Sequence, residues 1–284
     1  MKVKKFHLLP NVITAFGLCC GLFAIFKINM IEPGAVTKEV LEVVTGILLL
    51  AALADIFDGA IARAMKVESE FGGFFDCIAD AITFGVAPSI IVLKSLSIPP
   101  LTEMSFLITA AAMVYTVCGV LRLVRFSVMS HEAAEDELLK AAQKKNFTGL
   151  PIPAAAAALI SGNLFLVSSE LNRWVSVDAE TRTWILFTQM IVLGYFMISR
   201  WKFPSLKALH VRVTSFRQVF LMVLVTVFVI FYGLMRHFSV AFVAVAWGYV
   251  IVAWILSIVR KISGNKSKTL EDFEPEPDEL SDVE

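Results

Sequence analysis

Long apolar stretches separated by short polar segments run along almost the whole chain. Eight of them approach or exceed the roughly 20 residues that a helix needs to cross a hydrocarbon layer about 30 Å thick. They are residues 6–26, 43–64, 71–93, 104–121, 146–169, 183–199, 218–235 and 237–259. Backbone groups in lipid must be hydrogen-bonded internally, and these runs do not alternate as barrel strands do. We therefore predict an all-α fold, a polytopic bundle of about eight transmembrane helices.

Composition supports a membrane protein and argues against other classes. Of the 284 residues, 57% are apolar and 18% are charged, whereas soluble domains have about 45–50% and about 25%. This excess of apolar residues argues against a soluble enzyme and against a nucleic-acid-binding protein.

The distribution of charge predicts an orientation in the membrane. Most of the 25 Lys and Arg residues fall in segments that an eight-helix topology places on the same side as both termini. The positive-inside rule assigns that side to the cytoplasm, so we expect a multi-pass cell-membrane protein with both termini and the loop around Lys66 on the cytoplasmic side. Residues 271–284 carry eight acidic residues and no basic residue, a pattern typical of a disordered tail.

Four carboxylates interrupt the second and third apolar windows. A charged group inside a span costs roughly 2.5–3.5 kcal/mol on insertion scales, which favours a functional role over a structural ion-paired cluster. Asp55 and Asp58 are three residues apart, and Asp76 and Asp80 are four apart. Each spacing places its pair on one face of a helix. The short link between the windows makes the helices antiparallel neighbours, so we expect all four carboxylates to converge.

Divalent cations would balance the charge of these carboxylates. All-oxygen ligation suits Mg²⁺, Mn²⁺ or Ca²⁺ rather than Zn²⁺, and four carboxylates are enough to bridge two ions. The neighbouring residues suit a phosphate ligand: Gly59 leaves the backbone bare, Arg63 can bind phosphate through two N–H groups, and Gly72 lies near a helix N-terminus. Two ions and an arginine are the parts needed for displacement at phosphorus.

The spacing of these residues resembles the motif of a known family. The chain reads Asp55-x2-Asp58-Gly59-x2-Ala62-Arg63-x8-Gly72-x3-Asp76-x3-Asp80. This pattern matches the motif of the CDP-alcohol phosphotransferases at every defined position. That family transfers a phosphatidyl or similar group from a CDP-linked donor to an alcohol, with release of CMP, and has a core of six helices. The resemblance implies a membrane core in residues 1–199, two additional helices in 200–262 and an acidic tail in 263–284.

The resemblance also implies roles for individual residues. Asp55, Asp58 and Asp76 would be ligands of Mg²⁺ or Mn²⁺, and Asp80 would be the general base and a ligand of a second ion. The donor-binding residues would be Asn11, Thr14, Gly59, Ala62, Arg63, Ser69 and Gly72. Two plainer interpretations stay open, a helix cap for Asn11 and an ordinary loop hydroxyl for Ser69.

Three further segments resemble the phosphatidylserine synthase branch of this family. They are AITFGVAPSIIVL, RLVRFSV and FTGLPIPAAA. Thr83 stands where that branch usually has serine. The likeness implies CDP-diacylglycerol as donor and L-serine as acceptor, with Thr83, Arg122 and Arg125 as acceptor-binding residues. The two arginines share a helix face, but they could instead extend to lipid headgroups.

Other interpretations stay open at this point. A sibling enzyme would use glycerol phosphate, inositol phosphate or choline as its acceptor. An ion-coupled transporter would also place carboxylates within its spans, whereas a structural scaffold would leave them unexplained. Membrane lipid is an expected partner, nucleic acid is not, and a homodimer is possible.

Overall fold

The fold is a bundle of helices. The computed structural model describes residues 8–65, 70–99, 101–135, 146–199, 202–204 and 237–262. The helices are α1 (Leu8–Asn29), α2 (Lys38–Met65), α3 (Glu70–Asp80), α4 (Ala87–Ser95), α5 (Glu103–Glu135), α6 (Ile152–Leu166), α7 (Ser169–Asn172), α8 (Ala179–Ile198) and α9 (Phe238–Ile262). A π-helical turn, Ala81–Val86, joins α3 directly to α4, and the short strands β1 (Asn146–Thr148) and β2 (Lys202–Pro204) pair antiparallel.

Six of the described helical stretches are long and apolar enough to cross a membrane. They are Pro10–Asn29, Lys38–Gly59, Phe71–Ser95, Glu103–Val128, Ala179–Ile198 and Phe238–Ile258. The third stretch combines α3, the π-helical turn and α4. This arrangement confirms the predicted class, an all-α polytopic membrane bundle.

The predicted window 146–169 is wrong in its boundaries. Its first residues form β1, and α6 begins only after Pro151 and has 15 residues, fewer than the roughly 20 needed to span a bilayer. Proline has no N–H group and disfavours helical geometry in the residue before it, so α6 cannot extend upstream. Residues 218–235 and 263–284 lie outside the described part of the chain. The count of eight spans and the domain boundaries therefore stay predictions.

The helices pack around two groups of buried apolar side chains. One group joins α1 to α2 through residues such as Ala24, Ile28 and Val44. The other joins α5, α6 and α8 through residues such as Tyr115 and Leu159. Many outward-facing side chains are apolar and exposed, which a lipid environment requires.

Hydrogen bonds between the α1–α2 loop and α4 hold one end of the first hairpin. The N–H group of Gly34 donates to the carbonyl oxygen of Lys94 over 3.1 Å. Lys94 Nζ in turn donates to the carbonyl oxygen of Ile31 over 3.4 Å. The loop between α1 and α2 is thereby held against the end of α4. The carboxylates of α2 and α3 lie toward the other end of these helices.

The π-helical turn gives α3 and α4 an irregular buried junction. Thr83, Phe84 and Gly85 are buried there. The Tyr115 hydroxyl on α5 donates to the carbonyl oxygen of Phe84 over 3.1 Å. The Thr116 hydroxyl, also on α5, donates to the carbonyl oxygen of Gly85 over 3.3 Å. Side chains of α5 thus satisfy carbonyl groups that the widened turn leaves available. Short π-helical insertions are frequent at functional sites.

Close packing of α1 on this turn requires a glycine at position 21. A Cβ atom at Gly21 would lie 2.9 Å from Thr83 Cβ and 3.0 Å from Thr83 Cα. Both distances are too short for carbon atoms, and neither atom belongs to the end of a flexible side chain. The fit between α1 and the site-bearing turn therefore depends on this missing side chain.

We predict that Gly21→Ala destabilises the protein, because the added methyl group forces α1 and the turn apart. Overpacking of this kind costs about 1–3 kcal/mol, so the melting temperature in detergent should fall by several degrees. Gly46→Ala is the matched control, since Gly46 also lies within a helix and a methyl group added there would meet no atom within 4 Å. It should melt at or above the wild-type temperature. Equal melting of Gly21→Ala and wild type would contradict the required close fit.

Candidate metal centre and active site

Three carboxylates from two neighbouring helices meet near one end of the bundle. Asp55 lies on α2, and Asp76 and Asp80 lie on α3. Each residue contributes one carboxylate oxygen, and these three oxygen atoms lie within 4.8 Å of one another. Negative charges this close repel strongly unless they bind protons or a cation. An all-oxygen set of this kind suits a hard divalent cation, so the residues present fit the metal that the sequence predicts.

Asp58 lies beside these three residues and has a different partner. Its side chain is buried, and its Oδ2 atom accepts a hydrogen bond from the Thr14 hydroxyl over 2.7 Å. The same hydroxyl lies 3.1 Å from the carbonyl oxygen of Pro10, one turn earlier on α1. Thr14 therefore links α1 to Asp58 and restricts the orientation of its carboxylate.

The four carboxylates line one small cavity with a volume of about 10 Å³. The other lining residues are Thr14, Gly17, Leu18, Ala51, Ala79, Thr83 and Phe84. This volume is close to the minimum for one water molecule. The cavity therefore has room for an ion, and a larger ligand has to approach it from outside.

Thr83 contributes a buried hydroxyl to this cavity. The residue is 3% exposed, and its Oγ1 atom has no hydrogen-bond partner within the part of the chain that the structure describes. A buried polar atom without a partner is uncommon and calls for an explanation. A ligand with a donor or acceptor group would supply that partner.

The two arginines of α5 diverge although they share a helix face. Arg122 is buried, and its guanidinium lies 5.4 Å from the centre of the Phe126 ring and close enough to Asp80 for their charges to interact. Arg125 Nη1 donates to the carbonyl oxygen of Ile198 over 3.2 Å. Arg122 therefore lies within electrostatic range of Asp80, whereas Arg125 binds the end of α8.

The remaining predicted residues are only partly described. Gly59 and Gly72 are half-buried and lie on the helices that carry the carboxylates, Gly59 directly after Asp58. Asn11 is half-buried on α1 and is not among the residues that line the cavity. The side chains of Ala62 and Arg63, and the whole of Ser69, lie outside the described residues. Their predicted contacts with the donor stay predictions.

Sequence reasoning did not identify the part of α1 that closes the cavity. Gly17 and Leu18 line it, and Gly17 and Gly21 bring α1 close to α2 and to the π-helical turn. The spacing Gly-x3-Gly is a known signal for close helix packing in membranes. That signal was present in the sequence and could have identified this contact.

Comparison with known proteins agrees with this geometry. The sequence profile described as CDP-alcohol phosphatidyltransferase matches residues 7–195. The chain is 26% identical over 269 residues to a CDP-diacylglycerol–serine O-phosphatidyltransferase of Helicobacter pylori, covering 95% of this chain and 100% of that protein. It is 30% identical over 199 residues to the enzyme of the same name from Bacillus subtilis, covering 70% and 91%. The corresponding enzyme of Methanocaldococcus jannaschii is 27% identical over 203 residues, covering 72% and 77%. The chain belongs to the CDP-alcohol phosphatidyltransferase family.

Proposed function

We propose that the protein is an integral-membrane CDP-diacylglycerol–serine O-phosphatidyltransferase, which makes phosphatidylserine and CMP. The observation that carries this proposal is the convergence of Asp55, Asp76 and Asp80, the carboxylates of the family motif, within 4.8 Å of one another. The names of the relatives support serine as the acceptor. The apolar spans support a substrate whose acyl chains stay in the bilayer.

The three convergent carboxylates and Asp58 would hold Mg²⁺ or Mn²⁺. A second ion would lie at the mouth of the small cavity and would need the donor phosphates as further ligands. When bound, such ions neutralise the charge of a pyrophosphate and of the CMP that leaves. Asp58 would be held in its ligating orientation by Thr14. The donor set contains only oxygen, which supports these metals over Zn²⁺.

The reaction that we propose is a direct displacement at phosphorus. Asp80 accepts the proton of the serine hydroxyl, and the serine oxygen attacks the phosphorus atom that carries diacylglycerol. The bond from that phosphorus to the oxygen of CMP breaks as the new bond forms. A serine hydroxyl is a weak nucleophile at neutral pH, so a carboxylate base within hydrogen-bond reach is required.

Different residues of this chain would bind the donor and the acceptor. The donor pyrophosphate would lie against Gly59 and the N-terminus of α3 at Gly72, where no bulky side chain blocks the backbone. Arg63, with Ala62, Ser69 and Asn11, would complete the donor site.

For the acceptor, Arg122 would pair with the serine carboxylate and Thr83 would hydrogen-bond a polar group of serine. Arg122 is supported by its proximity to Asp80, and Thr83 by its unpartnered buried hydroxyl. Arg125 is the weaker candidate, because its guanidinium already donates to Ile198.

The same proposal predicts which side of the membrane the carboxylates face. L-serine and CMP are soluble cytoplasmic compounds, so the carboxylates would face the cytoplasm, as the distribution of Lys and Arg predicts. A homodimer stays a prediction.

The acceptor is tested with purified protein in mixed micelles of CDP-diacylglycerol. L-serine, glycerol 3-phosphate, inositol phosphate and choline are supplied separately, and CMP release is measured. We expect release with L-serine at least tenfold faster than with any other alcohol. A preference for another alcohol would contradict the serine assignment but not the reaction, whereas no release with any of them would contradict both.

Asp80→Asn should abolish most turnover, because the neutral amide cannot accept the serine proton. General base catalysis contributes about 10²- to 10⁴-fold, and we expect kcat for CMP release to fall by that factor. Binding of CDP-diacylglycerol, measured with a fluorescent analogue at saturating Mg²⁺, should change by less than threefold, because Asp55, Asp58 and Asp76 still supply metal ligands. Glu103→Gln, at an exposed acid that begins α5, is the control and should behave as wild type. Normal turnover in Asp80→Asn would refute the base assignment.

Thr14→Val should weaken activation by metal, because Asp58 loses the hydroxyl that orients it. Loss of a partner that orients a ligand typically costs about 10- to 100-fold in metal affinity. The measurement is CMP release after EDTA treatment, titrated with Mg²⁺. Thr109→Val is the matched control, since the Thr109 hydroxyl donates to the carbonyl oxygen of Ser105 on its own helix over 2.7 Å. An unchanged Mg²⁺ requirement in Thr14→Val would show that the hydroxyl does not position a metal ligand.

A further inference from the structure

A second polar cluster is buried at the opposite end of the bundle from the carboxylates. Its members are Ser95 at the end of α4, Asn163 on α6 and Arg182 on α8. Ser95 is 2% exposed and Asn163 is 1% exposed. Ser95 follows Asp80 by 15 residues of continuous helix, which corresponds to about 22 Å along the helix axis. This cluster is therefore separate from the active site.

The three side chains are hydrogen-bonded to one another, and two of their N–H groups have no acceptor among the described residues. Arg182 Nη2 donates to Asn163 Oδ1 over 2.9 Å and to Ser95 Oγ over 3.1 Å. Ser95 Oγ also lies 2.8 Å from the carbonyl oxygen of Val92 and 3.1 Å from Asn163 Oδ1. Arg182 Nε and Asn163 Nδ2 are buried and have no hydrogen-bond partner among the described residues. Both of these atoms carry N–H groups.

The positive charge of Arg182 also has no carboxylate partner within salt-bridge distance among the described residues. Two acids at this end of the bundle have other partners: Asp178 caps the first turn of α8, and Glu170 lies 3.7 Å from Lys38. Residues 205–236, which precede α9, contain no Asp or Glu. Arg182 is half-buried, and its enclosed Nε atom lacks an acceptor among the described residues. A guanidinium without an anion at the edge of a hydrocarbon layer is energetically costly, so an acceptor from outside the chain is expected.

We propose that Arg182 and Asn163 bind the phosphate group of a membrane phospholipid in the leaflet opposite the active site. The unpartnered groups are all donors and one of them is charged, which suits a ligand with only acceptor oxygens. A guanidinium matches the geometry of phosphate, to which it can donate two parallel hydrogen bonds.

The position of Arg182 favours a lipid as the source of this phosphate. Arg182 lies in the first turn of the apolar span Ala179–Ile198. The first turn of a span lies near the boundary of the hydrocarbon layer, next to the lipid headgroups. A phosphate bound there would hold the ends of α4, α6 and α8 together, so lipid binding is expected to stabilise the fold.

The test is the thermal unfolding of delipidated full-length protein in detergent. The melting temperature is measured with increasing dioctanoyl phosphatidylglycerol, with dioctanoylglycerol, which lacks the phosphate, and with inorganic phosphate. We expect the phospholipid to raise the melting temperature and the other two to have little effect. Arg182→Gln should reduce the shift caused by the phospholipid at least threefold. Arg173→Gln, at an exposed arginine on the same face, removes the same charge and should retain the full shift.

A second variant keeps the proposal testable if Arg182→Gln fails to fold. Asn163→Asp supplies an internal carboxylate to Arg182, so this variant should fold well and respond at least threefold less to the phospholipid. Full response in either variant, or an equal response of wild type to dioctanoylglycerol, would overturn the proposal. An equal response to inorganic phosphate that depends on Arg182 would overturn the lipid source and support a site for free phosphate. None of these measurements uses turnover, so their outcome is independent of the proposed function.

Discussion

Negative charge held inside an apolar helical bundle is the constraint on which the rest of this structure depends. Asp55, Asp76 and Asp80 bring carboxylate oxygens within 4.8 Å of one another on helices that otherwise suit lipid. The divalent cation that we propose would relieve their mutual repulsion, and small residues of α1 pack closely beside them around a cavity of about 10 Å³. The chemistry that we propose uses the same charges, first to hold metal and then to remove a proton.

The convergence of the carboxylates in the candidate site could be predicted from the sequence to the extent that it depends on local helix geometry. Spacings of three and four residues fix which side chains share a face, and the short link between α2 and α3 makes them neighbours. Those two facts were sufficient to predict that carboxylates converge. The contact of Thr14 with Asp58 depends on how α1 is rotated against α2, and no spacing within one helix determines that rotation.

Features that depend on packing between helices distant in sequence were harder to predict from the sequence. Arg122 and Arg125 share a face by spacing, yet Arg125 donates to the end of α8, whereas the charge of Arg122 interacts with that of Asp80. The window 146–169 has no charged residue, but its helix begins only after Pro151. The contacts of Arg182 cannot be predicted from the sequence, because only the fold brings Asn163 and Ser95 to it. Buried polar contacts of this kind arise from tertiary structure, and hydropathy does not report them.

Binding of Mn²⁺ to the purified protein tests the central claim most directly. Electron paramagnetic resonance distinguishes free from bound Mn²⁺ without any substrate or turnover. We predict saturable binding that Mg²⁺ displaces and that Asp76→Asn, which removes one of the three convergent carboxylates, weakens at least tenfold. Binding to Asp76→Asn with wild-type affinity, or no binding to the wild-type protein, would contradict the claim that these carboxylates are gathered to hold divalent ions.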